Sequence, residues 1–271
     1  MLMSYATLMV HCSLTTSCDN RLTIAASLAE RFDARVIGIA AHAVPVQLYF
    51  AEGDAAAYAE EQDLANIEKY LRLAEERFHK ALKGHATAME WRSAIEAPQS
   101  FIAKECRAAD LVIIGQNDEY PSLDPGDLAM QTGRPLLMVP QEVETLKAER
   151  ILIAWKDTRE ARRAICDALP LLRLCQKAIV VEIDEARDPV AAARRVEDVA
   201  AWLAGHGVNA AGWSEPLRKD ASAQLDALAT EEVLDLVVAG AYGHGKFREW
   251  VLGGVTRALL RQTSRCHLLA H

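Results

Sequence analysis

Twenty-two residues, AGAYGHGKFREWVLGGVTRALL from Ala239 to Leu260, hold five glycines between a strand-like apolar run and a helix-like one. Glycine loses more conformational freedom on folding than any other residue, so a cluster of it marks positive φ angles or a backbone that must come close to something. Gly240, Gly243 and Gly253 are spaced G-x2-G-x9-G, and Gly254, Val255 and Thr256 follow. An ordinary strand-to-helix connection takes about 2–6 residues, and this one is far longer. Amides with no Cβ to block approach can cradle a phosphate, and a helix starting near Gly254 would turn its positive end to the same anion, with the Thr256 hydroxyl beside it. On the opposing reading the glycines only allow tight packing, and His244 is an ordinary loop histidine.

The second candidate group ends an earlier apolar run, RILIAWKDT, and comprises Ala154, Lys156 and Asp157. Lys156 is suited to hold an anion or to pair with a carboxylate such as Asp157. No GxxxxGK[ST] phosphate loop and no obvious general base stands beside the glycines, which argues against rapid phosphoryl transfer. The six cysteines form no CxxC pair, and the eight histidines form no HExxH spacing. No structural metal is expected, and the thiols read as small buried hydrophobes of a reducing compartment.

The elements that must position these groups occur twice. AADLVIIGQ and VLDLVVAGA are the same short run, each with an Asp at its start and a Gly near its end. ATLMVHC matches RILIAWK, ARVIGIA matches KAIVVEI, and RPLLMVP matches RCHLLAH. Each half alternates strand and helix through five strands. Strands so uniformly apolar are buried on both faces, as in parallel sheets covered by helices. The predicted fold is therefore α/β, two tandem doubly wound five-stranded parallel-sheet domains, residues 1–147 and 148–271. One continuous ten-stranded sheet is the second reading. The closing strand of each half would be an exposed edge, so the two edges are expected to meet within the chain. A homodimer through another face stays open. Residues 57–83 read as the longest helix, with Leu64, Ile67, Leu71, Phe78 and Leu82 facing the core.

The G-x2-G-x9-G loop between the fourth strand and fourth helix resembles the nucleotide-binding loop of the universal stress protein family, and the repeat resembles its tandem two-domain form. The resemblance implies a stress-response protein with a fold like that of adenine nucleotide alpha hydrolases. It implies ATP or ADP, with Mg²⁺, on Ala154, Lys156, Asp157, Gly240, Gly243, Gly253, Gly254, Val255 and Thr256. At most slow ATP hydrolysis is expected. Two positions depart from the family pattern: Gly254 stands where nucleotide binders carry Ser or Thr, and Lys156 where they carry Asp. The first half departs further, keeping Gly115 and Gly126 without the intervening glycine, and is expected to be a degenerate copy. The other readings are an interaction scaffold that has lost its nucleotide and an enzyme acting on a small anionic metabolite.

The totals bound the partners. A net charge of −8 argues against nucleic acid, which needs a basic face. No apolar run approaches the roughly 20 residues of a membrane span, and the start lacks the charge of a secretory signal. The expectation is a cytoplasmic protein.

Overall fold

The computed structural model describes residues 4–14, 19–44, 54–116, 123–241 and 264–271, with the side chains of the second helix from residue 61 onward. The first half runs β1 (Thr7–His11), α1 (Asp19–Phe32), β2 (Arg35–Ala41), α2 (Asp54–Leu82), β3 (Met89–Ala94), α3 (Pro98–Glu105), β4 (Leu111–Gly115), α4 (Pro125–Thr132) and β5 (Leu136–Val139). The second runs β6 (Arg150–Ala154), α5 (Arg159–Leu172), β7 (Lys177–Asp184), α6 (Pro189–Gly205), β8 (Ala210–Pro216), α7 (Ala221–Glu231), β9 (Leu236–Gly240) and β10 (Cys266–Ala270).

The inner strands are buried along nearly their whole length, because helices cover both faces of the sheet. Helices α1, α2, α5 and α6 pack on one face, and α3, α4 and α7 on the other; each core contains residues from both halves. On α2, Ile67, Leu71, Phe78 and Leu82 are buried and Leu64 is half-buried, the face expected from their spacing. Side chains fix several helix starts: Thr158 accepts the Ala161 amide, Asp188 that of Ala191, and Asp220 that of Ser222.

The strand order is β3-β2-β1-β4-β5-β10-β9-β6-β7-β8. Each half has the doubly wound order, all its strands parallel. The halves join where β5 meets β10 antiparallel, His267 opposite Met138 and Leu268 opposite Leu137. The two closing edges do meet within the chain. Two domains and one sheet, taken as rival readings of the sequence, therefore describe the same molecule at different scales: edge pairing merges two five-stranded units into ten strands.

The aspartate repeated at the start of the fourth strand has one role in both halves. Asp110 Oδ2 accepts the Ala6 and Thr7 amides, each at 2.9 Å. Asp235 accepts the Glu149 amide at 3.0 Å and the Arg150 amide at 3.2 Å. Each carboxylate satisfies the amides at the start of the neighbouring first strand and so fixes the register of the pair that flanks the crevice.

Candidate functional site

The chain winds outward from β6 to β7 and β8, then returns to β9 on the other side of β6, so the strand order reverses between β6 and β9. Ligands of open α/β sheets settle at such a reversal, outside the carboxyl ends of the strands. The register runs Ile151 opposite Leu236 through Ala154 opposite Ala239, so both strands end at the same level. This brings Ala154, Lys156, Asp157 and Gly240 to one end of the sheet. The expected site residues Gly243, Gly253, Gly254, Val255 and Thr256 lie outside the described residues.

Gly240 answers part of the question raised by the glycine cluster. A Cβ there would lie 2.6 Å from the Ala161 nitrogen and 2.7 Å from the Glu160 carbonyl carbon. The residue lacks a side chain because the first turn of α5 rests on the end of β9. Packing alone accounts for this glycine.

The amino end of α5 is itself unsuited to an anion. Thr158 caps it, and the Glu160 side chain is buried in its first turn. Burial works against the charged form of Glu160, but hydrogen bonding with Arg159, its own backbone N–H and Thr158 outweighs that and holds its carboxyl below the usual range.

Lys156 pairs with a carboxylate, but with Glu185 rather than Asp157: its Nζ donates to Glu185 Oε2 at 2.9 Å. Asp157 accepts from Arg162. The Lys156 and Glu185 side chains are each half exposed, and such pairs contribute only about 0.2–1 kcal/mol, so Lys156 can be drawn off by an incoming anion at little cost.

Two residues near this end escaped the sequence reading. Asp184 closes β7, next to β6, and is 2% exposed. Its Oδ1 accepts the Ala186 amide at 3.1 Å, while Oδ2 has no hydrogen-bond partner among the described residues. The available signal was an aspartate ending an otherwise apolar strand. Trp155 is buried, its amide donates to the Val181 carbonyl, and its indole Nε1 has no partner among the described residues. An aromatic residue at a strand end is ordinary core, so nothing in the sequence distinguished it.

Four of the described thiols are poor nucleophiles. Burial pushes Cys175 up to about 11 and Cys266 to about 12, and raises Cys106 and Cys166. Among the described residues no group of three His, Cys, Asp or Glu side chains could hold a metal ion, and no helix is long and apolar enough to cross a membrane.

The corresponding end of the first half is built differently. Buried Arg21 donates to the His11 carbonyl at 3.1 Å, at the end of β1. Asp124 caps α4, accepting the Gly126 amide at 2.8 Å and the Asp127 amide at 3.0 Å. A carboxylate thus already holds the amides that a phosphate would need.

Neither a family model nor a curated protein matches the chain. Solved structures do. A universal stress protein from Archaeoglobus fulgidus DSM 4304 superposes with a TM-score of 0.69 at 14% identity, covering 97% of this chain and 95% of that one. A functionally unknown protein from Pseudomonas aeruginosa PAO1 superposes with a TM-score of 0.57 at 16% identity, over 98% of this chain and 92% of that one. The protein is a doubly wound α/β protein with its crevice at the reversal of strand order. Its fold is that of the universal stress proteins in their tandem form.

Proposed function

We propose that this is a stress-response protein of the tandem universal stress protein type, which binds ATP or ADP, with Mg²⁺, at the carboxyl ends of β6, β7 and β9 in its second half. The carrying observation is Asp184. A buried carboxylate oxygen without a partner is costly, and it accepts a hydrogen bond readily from a ribose hydroxyl or an adenine amino group. It supplies, from β7, the carboxylate that Lys156 removes from β6. The glycine loop holds the phosphates, and Lys156 swings from Glu185 to meet their charge.

The first half, residues 1–147, is the degenerate copy, a reading supported by the Asp124 cap and by Arg21 at the end of β1. Residues 148–271 carry the active repeat. Nucleotide acts as a switch or cargo rather than as a substrate turned over rapidly. No disulfide joins the described cysteines, which fits a cytoplasmic setting.

Calorimetric titration of ATP, ADP and AMP in the presence of Mg²⁺ tests the proposal. Saturable binding that disappears in Gly243→Val and Gly253→Val, with circular dichroism unchanged, supports it. No heat at millimolar nucleotide overturns it in favour of the second reading, an interaction scaffold that has lost its ligand. One observation favours that alternative: Gly240 is explained by its contact with Glu160 and Ala161.

A further inference from the structure

On the helical face of the second half, α5 and α6 stand apart. In the first half α1 packs against α2, whereas α5 lies mainly against β9 and β10, and α6 against β8 and β7. Two glycines hold the second pair apart. Gly240 lets Glu160 and Ala161 sit on the end of β9, and Gly212 lets the Val196 backbone and side chain come to 3.0 Å from where a Cβ would stand on β8. Each helix is drawn toward its own side of the sheet.

The first half fills the space between. Phe78 of α2 and Trp91 of β3 crowd over Gly38 of β2, each within 2.7 Å of the position a Cβ would take. The corresponding residue of β7 is Val180. A cavity of about 450 Å³ remains, with buried Trp155 and Ile165 at its inner end, Cys166 and Val199 on its walls, and exposed Trp202 at its mouth. That volume lies within the roughly 300–1,000 Å³ of small-molecule sites.

We infer that the α5–α6 groove is a second binding site, for an uncharged, largely apolar small molecule. The charges select the class. Both arginines of the lining are committed, Arg162 to Asp157 and Arg195 to Glu182, whose oxygens lie 3.0 Å from the Arg195 Nε. The remaining lining charge, Asp198, is exposed and negative, which disfavours an anionic ligand. The indole Nε1–H of Trp155 has no partner among the described residues but is buried out of reach of the cavity, so the residue, 8% exposed, offers it ring carbon. The occupant stacks on or packs between the two tryptophans. The groove shares Asp157 with the nucleotide crevice, but the inference does not depend on nucleotide binding there.

Prodan, an uncharged naphthyl ketone whose emission shifts to the blue in apolar surroundings, tests this on the full chain. The expected result is saturable blue-shifted emission at one site. Affinity should be lost in Val199→Trp and in Cys166→Phe, which fill the cavity from opposite walls, and melting curves identify whichever variant is folded. Saturating ATP with Mg²⁺ should leave the bound prodan in place. The inference is overturned if the native chain does not bind prodan, if a folded, filled variant binds it as well as the native chain, or if ATP displaces it. Loss of ATP binding with retained prodan binding would sink the nucleotide proposal alone.

Discussion

Two buried side chains at opposite regions of the second half differ in what they expect from their surroundings. His267 lies on β10 at the seam, fully buried, with neither ring nitrogen partnered among the described residues. Burial first, and the charge of Arg265 second, lower its pKa from 6.5 to about 3. Between those values the unfolded chain takes up a proton that the folded chain refuses. The contribution to stability is therefore complete above about pH 6.5 and is lost as pH falls toward 3, at up to about 1.4 kcal/mol per pH unit. Urea denaturation at pH 7.5 and pH 5.5 should differ by about that amount through this group, and His267→Leu should remove the difference. Asp184 has the opposite character: its Oδ2 is an acceptor with no hydrogen-bond partner among the described residues. Asp184→Ala should weaken ATP binding about tenfold, the effect of one hydrogen bond to a charged acceptor, with the circular dichroism spectrum intact.

At the scale of the element, glycine means different things at different positions. Gly240 sits under the first turn of α5, where a methyl group would meet backbone atoms at 2.6 and 2.7 Å. Neither strand end nor helix start can yield easily, so Gly240→Ala should destabilise by about 1–3 kcal/mol in denaturant unfolding. Gly205, at the end of α6, has open space around the same position and an ordinary φ. Gly205→Ala should stabilise by about 0.4–1 kcal/mol, because it restricts only the unfolded chain. Equal effects at the two positions would refute the packing account of α5. The strands themselves were easy to place from sequence, since a run such as LVVAG has no polar residue to offer solvent. The helix starts at Thr158, Asp188 and Asp220 follow ordinary capping chemistry, which the sequence reading did not use.

For the whole molecule, the decisive feature is the shared seam. Besides the β5–β10 ladder, Tyr5 crosses from the first half to α5, its hydroxyl donating to the Asp167 carbonyl at 2.6 Å and its ring meeting Phe32 edge-on. Burial, with Asp167 and Asp110 nearby, pushes the Tyr5 hydroxyl far above its usual range, so it stays a donor at every working pH. The connector is also packed: Leu146 and Ala148 are buried, and Asn20 donates to the Pro140 and Val143 carbonyls. Unfolding should thus be a single transition in urea, with circular dichroism and tryptophan fluorescence superposing, despite the two-repeat architecture. Tyr5→Phe should lower stability by about 1 kcal/mol without splitting it.

The sequence by itself determined the elements, their alternation, the duplication and the pairing of the two closing strands, because periodicity and self-similarity are local properties and a bare apolar edge demands a partner. It also marked the end of β6 and the glycine cluster as the place to look. It could not determine which glycines serve packing, which carboxylate stands ready, or which cations are already paired. Gly240 and Lys156 acquire their roles from groups 29 to 80 residues away in the chain, as with Lys156 and Glu185 or Gly240 and Glu160, and Asp184 and Trp155 from the lack of partners among the described residues. Only the tertiary structure sets those distances. It alone decided that α5 and α6 part where α1 and α2 close, because that outcome depends on how tightly each helix can settle on its own strand.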